Sequence, residues 1–261
     1  METILITGAT GAIGGAAMRL LQERGYRVIG TSRRPDCGDL WSLDISSPTS
    51  INAFVKRLVK EEVRLDGLLN NAGTMQRYFG LTTEGFEQVL ATNYLGTYAL
   101  TRRLIPLMNP SARVVCTVSL TCNIAHLDHA LFDTDLRTYR QLGTYADSKM
   151  AVMLFAEELQ RRYGDRLRVN VTDPGVVNSR MLHMNRWYDS LADVLFRPFC
   201  KSADKGALPA VNAVTADCAG QLFRGNSHRD IPSRGQQPEL ARWLWDETEL
   251  RLQDHYPHFV Q

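Results

Sequence analysis

Apolar runs rich in Val, Ile and Leu recur along the chain at 3–7, 27–31, 67–70, 113–118 and 168–172, with a weaker one at 221–224. Short runs of this kind, bounded by polar or glycine-bearing segments, predict strands buried on both faces. Between them apolar residues return at helical spacing over 12–24, 50–62, 83–107, 145–163 and 203–215, several of these patterns closing on glycine. Strand and helix in alternation build βαβ units. The predicted fold class is therefore α/β, a doubly wound parallel sheet with helices on both faces, three layers in all. No repeat, low-complexity tract or linker divides the sequence, which reads as a single domain over 1–261.

Two stretches break the alternation, 120–143 and 175–202. Loops of that length in a compact domain tend to line binding sites. The second carries Met181, Leu182, Met184, Trp187, Leu191, Val194, Leu195 and Phe196. A substrate lid near 176–202 is one reading; an amphipathic helix packed on the domain satisfies the same pattern.

Composition narrows the function classes. The 261 residues are 44% hydrophobic with a formal charge of +2, which suits a full core. Arginines are interleaved with acids, so no basic stripe for nucleic acid is expected. The cysteines (Cys37, Cys116, Cys122, Cys200, Cys218) are odd in number and form no C-x-x-C pair, which fits a reducing compartment. His126/His129 and His255/His258 lack partner spacing for a metal and read as surface or loop residues. The opening METILITGAT leaves no room for a leader, and no run of about 18 apolar residues predicts a spanning helix, so a cytoplasmic protein is expected.

Three local patterns carry chemistry. "ITGATGAIGG" follows a β-branched strand and opens a helix, so Gly8, Gly11 and Gly14 are candidates for a turn that lets backbone N–H groups approach a pyrophosphate. Close helix–strand packing would ask for glycine there too. The second strand ends in Ser32, Arg33 and Arg34, where a site for NAD would place an acid on the ribose; guanidinium groups favour a 2′-phosphate and hence NADP(H). Two exposed turn arginines would look the same. Finally, Tyr145 and Lys149 stand four apart, on one face of a helix.

Together these residues resemble the short-chain dehydrogenase/reductase superfamily from residue 3 to about 215. The glycine motif at 7–14, Asp44 in "LDIS", "NNAG" at 70–73, Asn93, Ser119 after "RVVCTV", Tyr145-x-x-x-Lys149 and "PGVVNS" at 174–179 occur in the family's order. The stretch from His129 to Leu159 and the tail "PSRGQQPELARWLWDETELRL" are most similar to its retinol-dehydrogenase-like group. The resemblance implies a Rossmann-type fold and an oxidoreductase moving hydride between NADP(H) and a small-molecule carbonyl or alcohol, the lid hinting at an apolar one. In it Tyr145 would be the acid or base, its phenol made more acidic by Lys149 and an oxidised nicotinamide. Lys149 would also hold the nicotinamide ribose, Ser119 the substrate oxygen, and Asn93 would anchor a water relay. Gly8, Thr10, Gly11, Ala12, Ile13 and Gly14 would line the phosphates, Asp44 and Ile45 the adenine, and Asn71, Ala72 and Gly73 the adenosine side. Val177 and Ser179 would meet the carboxamide end, and Pro174 and Gly175 before them would line the cofactor too, although turning the chain after a strand would ask for the same pair.

The family implies a dimer or tetramer, although the tail could cover the helix interface such assemblies use. Two departures stand out. Ala12 replaces the second expected glycine, with Gly11 one place earlier, as in the longer sugar-nucleotide-modifying branch. Val118 precedes Ser119 in place of a second serine. A catalytically inactive NADP-binding sensor or scaffold, or a sugar-nucleotide-modifying enzyme, are the alternatives.

Overall fold

The computed structural model describes residues 1–34, 40–177 and 201–256. Among them eight strands form one sheet in the order β3-β2-β1-β4-β5-β6-β7-β8. The strands are β1 (Thr3–Ile6), β2 (Arg27–Ser32), β3 (Trp41–Ser42), β4 (Leu65–Asn70), β5 (Met108–Thr117), β6 (Leu167–Asp173), β7 (Gln221–Arg224) and β8 (Ser227–Asp230). All neighbours run parallel except β7 and β8, which form an antiparallel hairpin.

Side-chain alternation explains the continuous apolar runs. In β1, Leu5 points into one core while Ile4 and Ile6 point into the other; in β5, Val114 and Cys116 oppose Val115 in the same way. The smaller core lies under α1 (Ala12–Glu23) and α6 (Ala203–Val214). The larger one lies under α2 (Pro48–Lys60), α4 (Gly96–Leu104), α5 (Gln141–Tyr163) and α7 (Pro238–Leu252).

Several elements differ from the sequence pattern. The helix expected over 83–107 begins only at α3 (Gln88–Leu90), because Gly85 turns the chain at φ +84 and the Glu87 carboxylate caps the Val89 and Leu90 N–H groups. It then passes through a π-helical segment, Ala91–Leu95, before α4. Conversely α5 starts four residues earlier than the pattern at 145, absorbing Gly143. Strand β3 is two residues long and β8 is exposed throughout, so neither has an apolar signature.

Helix α7, not anticipated, starts with Pro238 at its first position and buries Ala241, Leu244, Trp245, Thr248 and Leu252. Trp245 packs against Tyr98 (ring centroids 5.0 Å) and stacks on Phe155 (5.8 Å), so α7 covers a face of α4 and α5. Most of the 175–202 stretch, including the apolar residues 181–196 of the expected lid, lies outside the described residues. No helix among the described residues is long and apolar enough to cross a membrane.

Candidate active site

The strand order reverses between β1 and β4, and such a switch point opens a crevice at the strands' C-terminal ends. The glycine turn enters it from β1. Gly8 adopts φ +70, Gly11 donates its N–H to Gly8 O at 3.0 Å and then serves as N-cap of α1 without any side-chain cap. First-turn N–H groups left free of side chains suit a phosphate. A Cβ on Gly14 would overlap the Gly8 carbonyl oxygen and lie 2.6 Å from Asn71 Nδ2, whereas one on Gly11 would meet only Gly8 O at 3.3 Å. Thr10, Gly11 and Ala12 are exposed and Ile13 packs on the smaller core. The methyl of Ala12 therefore has open space, which is why the shifted glycine spacing is tolerated.

Hydroxyls and amides tie this turn to the exit of β4 on one side and to the end of β2 on the other. Thr7 Oγ1 accepts from the N–H groups of Asn71 (3.0 Å) and Ala72 (2.9 Å), and Asn71 Nδ2 donates to Thr7 O at 2.9 Å. The buried Ser32 hydroxyl lies 3.3 Å from Thr10 Oγ1 and accepts from Arg34 N at 3.1 Å, leaving Arg33 and Arg34 exposed at the crevice rim. Asp44 Oδ1 is occupied by Ser46 N (3.0 Å) and Ser46 Oγ (2.6 Å). The Ile45 side chain belongs to the larger core, and its backbone carbonyl packs against the buried Gly96.

On the far side of β4, three groups meet at the start of α5. Tyr145 and Lys149 are both buried, and the Ser119 hydroxyl, which caps the short 3₁₀ turn Leu120–Ile124, hydrogen-bonds the phenol. Burial pushes the Tyr145 hydroxyl up to about 12, outweighing the Ser119 bond, with Cys122 and Asp173 adding to the rise. Burial also lowers the Lys149 ammonium to about 8, against the opposing pull of Cys122 and Cys116.

The expectation that Lys149 makes the phenol more acidic does not hold for the chain's own groups. Lys149 Nζ is directed to the carbonyl oxygen of Thr117, 2.9 Å away, and desolvation of the ring dominates.

Asn93 lies in the π-helical segment, a distortion often found at functional sites. Its buried amide accepts from Thr74 N at 2.7 Å and donates to Thr74 O and Ser148 Oγ, both at 2.9 Å. Ser148 Oγ in turn donates to Tyr145 O at 2.7 Å. A Cβ on Gly73 would sit 3.2 Å from Lys149 Nζ and 3.4 Å from Asn93 Oδ1, so the β4 exit closes directly over the lysine. At the end of β6, Pro174 and Gly175 turn the chain at Gly175 φ +72, and Val177 is buried against Gly206. Ser179 lies outside the described residues.

Thr7, Thr74, Ser148 and Asp173 were not singled out by sequence. Ser148 sits inside the Y-x-x-x-K spacing, and Thr74 directly follows "NNAG", so adjacency to a motif was the available signal.

Comparison with known proteins agrees with this geometry. The family model described as short chain dehydrogenase matches residues 2–188. Retinol dehydrogenase 12 of Mus musculus is 33% identical, the alignment covering 94% of this chain and 84% of the relative. Retinol dehydrogenase 13 of Homo sapiens is 30% identical over 95% of this chain and 83% of its own. Among solved structures, an uncharacterised protein from Mycobacterium paratuberculosis superposes with a TM-score of 0.77 at 29% identity, covering 96% of this chain and 93% of that one. The 3-alpha-hydroxysteroid dehydrogenase from Pseudomonas sp. B-0831 complexed with NADH shares the fold, with a TM-score of 0.63 at 23% identity, covering 82% of this chain and 89% of its own.

Proposed function

The chain belongs to the short-chain dehydrogenase family, and we propose that within it Tyr145 exchanges the proton while NADP(H) exchanges the hydride with an apolar carbonyl or alcohol. At the coarser level it is an oxidoreductase acting on CH–OH and C=O groups with NAD(P). The observation that carries the finer reading is the burial of Tyr145 and Lys149 on one face of α5, with the Ser119 hydroxyl bonded to the phenol.

When bound, the nicotinamide supplies or accepts the hydride and, in its oxidised form, brings a positive charge. The chain's residues supply the rest. A phenol near 12 stays protonated throughout the physiological range, so in carbonyl reduction Tyr145 donates its proton to the substrate oxygen that Ser119 holds beside it. Alcohol oxidation asks more, since bringing the phenol to near neutrality costs about 5–7 kcal/mol. A single cation one helical turn away, at an effective dielectric near 20, offers about 2–4 kcal/mol. The rest would have to come from the positive charge that the oxidised nicotinamide brings when bound. Asn93 fixes Thr74 and Ser148, and through Ser148 the first turns of α5 that carry Tyr145 and Lys149.

NADP(H) over NAD(H) follows from Arg33 and Arg34 beside a buried Ser32 with no acid there. The glycine turn offers the uncapped helix start that a pyrophosphate needs. An apolar substrate fits the exposed Leu120, Ile124 and Val176, which follow Ser119 and Gly175, and the relatives named for retinol. The free thiols of Cys116, Cys122 and Cys218 fit the cytoplasm, and we read the chain as one domain. Coverage of α4 and α5 by α7 leaves less of that face for self-association.

The test is Tyr145→Phe, followed by NADPH absorbance over a panel of aldehydes and ketones. Cofactor binding retained with turnover abolished is the expected result; undiminished turnover removes Tyr145 from the chemistry. Tight NADPH binding by the unaltered protein with no turnover of any carbonyl would replace this reading with that of a sensor.

A further inference from the structure

Asp173 ends β6 and Arg224 ends β7, and the two are direct partners in the parallel register. The carboxylate is buried; its Oδ2 accepts from Arg224 Nε at 3.1 Å and Nη2 at 2.5 Å. Its other oxygen accepts the Gly175 N–H at 2.8 Å, spanning Pro174. Gly175 is in the left-handed region at φ +72, so the Asp173 side chain is what pins this turn. Arg224 is fixed from behind by the β7–β8 hairpin, where Gly225 adopts φ +61 and Ser227 Oγ donates to Arg224 O at 3.3 Å.

The same carboxylate stands at the Tyr145 site: β5 and β6 pair with Thr117 beside Thr172, and the Val118 N–H donates to Thr172 O at 2.9 Å, so Asp173 lies next to the strand end that leads into Ser119 and acts on the Tyr145 hydroxyl from there. Facing that hydroxyl are Ser119, which hydrogen-bonds it, the Cys122 thiol and Asp173, with Lys149 one helical turn on and committed to Thr117 O. Around Asp173 the cations are Arg224 and Lys201, whose Nζ stands 3.5 Å from Pro174 O. An anion beside a phenol opposes phenolate, and a guanidinium on that anion cancels much of the opposition. The Arg224 side chain is 38% exposed and that of Asp173 only 4%, so without the guanidinium the carboxylate would be left buried and uncompensated beside the site.

We propose that Asp173 and Arg224 are a positioning pair for the Tyr145 site, the carboxylate setting the Pro174–Gly175 turn and the guanidinium shielding the tyrosine from the charge that does so. The proposal rests on the reading of Tyr145 given above and adds to it residues that no motif required.

The experiment compares Arg224→Met, Arg224→Lys, Asp173→Asn and the double variant Arg224→Met/Asp173→Asn. One readout is kcat against pH in the oxidation direction. The other is the ¹³Cζ-tyrosine NMR resonance of Tyr145 with NADP⁺ bound, assigned by its loss in Tyr145→Phe. Arg224→Met should move the inflection to higher pH by roughly half a unit or more, about threefold slower at any fixed pH below it. Asp173→Asn, whose amide oxygen can still accept the Gly175 N–H, should move it the other way, and the double variant should follow Asp173→Asn. Arg224→Lys should keep the original inflection.

A purely structural pair would lower kcat in the variants and leave the inflection in place. An inflection unmoved in both Arg224→Met and Asp173→Asn overturns the proposal. Should Arg224→Met fail to fold, Asp173→Asn against Arg224→Lys decides alone. Because the NMR signal needs no turnover, a Tyr145→Phe enzyme that stays active would overturn the acid assignment while leaving the effect of the pair on the phenol measurable.

Discussion

Lys149 Nζ donates to the carbonyl oxygen of Thr117 at 2.9 Å, so the one ammonium buried in the candidate site is anchored to the last residue of β5. That anchoring locks α5 to the sheet and explains how a lysine can be buried at all: the carbonyl replaces part of the hydration that burial removes.

Its cost should be visible in the pH dependence of stability. Lys149 titrates near 8 when folded against 10.5 ordinarily, so below pH 8 both states are protonated and the full burial cost is present. Between about 8 and 10.5 the unfolded chain binds the extra proton, and stability rises with pH on account of this residue. Other groups titrate in the same window, notably Cys116, which burial raises to about 12, so the measurement must be a difference. Urea unfolding of the unaltered protein and of Lys149→Met, compared from pH 7 to pH 10, should show the difference shifting by roughly 2 kcal/mol in favour of the unaltered protein. A difference independent of pH would mean that the ammonium is better solvated than its burial implies.

Asn93 makes a different kind of contribution. Its amide bonds both partly buried backbone groups of Thr74 and the buried Ser148 hydroxyl. Replacing it by alanine strands the two Thr74 groups and leaves Ser148 Oγ only its bond to Tyr145 O, and should cost about 1–3 kcal/mol of stability. Asn93→Asp is the sharper probe. It keeps the acceptor for Thr74 N but sets a carboxylate oxygen against Thr74 O, and it should be at least as damaging. Denaturant midpoints of the two variants check this; an aspartate that is harmless would show that the π-helical segment can reorient its side chain.

The glycine turn permits a paired test. Gly14→Ala would drive a methyl into Gly8 O and Asn71 Nδ2, moving α1 away from the turn, and should weaken NADPH binding by tenfold or more. Gly11→Ala meets only one oxygen at 3.3 Å, at an ordinary φ of −74, and should cost less than about threefold. Fluorescence titration with NADPH measures both. A larger loss from Gly11→Ala would indicate that Gly11, not Gly14, carries the close approach.

What could be read before the structure follows from how local each constraint is. The strands of the sheet's middle are buried on both faces, so composition alone marks them, and the glycine turn and Tyr145–Lys149 lie within single elements. Helix α7 escaped because its burial is created by distant rings, Tyr98 and Phe155, that no neighbouring residue announces. The start of α3 was misjudged because Glu87 looks like a helix former until its carboxylate is seen capping. Lys149's partner depends on which strand end α5 packs over, and the Asp173–Arg224 pair on which strands are adjacent; sequence spacing encodes neither. In the same way, i, i+4 spacing announces a phenol near a cation, while the dryness of the Tyr145 ring, which opposes phenolate, is set by the elements packed over it.

Cofactor preference is the remaining point where sequence and geometry meet, and it divides between one buried residue and two exposed ones. Ser32 is buried and holds the backbone of Arg34 in place, while Arg33 and Arg34 project into solvent at the crevice rim. If these guanidinium groups take a 2′-phosphate, Arg33→Ala/Arg34→Ala should raise KM for NADPH by roughly 10- to 100-fold, the loss expected for charge-assisted bonds of about 1.5–3 kcal/mol, and leave KM for NADH nearly unchanged. The NADPH term should also weaken with added salt in the unaltered enzyme and much less in the variant, because exposed charges are screened over about 8–10 Å. Ser32→Asp, by contrast, places an anion where the phosphate would sit and should reverse the preference outright. Parallel changes in both KM values would show that the arginines serve the turn and not the nucleotide, and would return the choice of cofactor to residues beyond the rim.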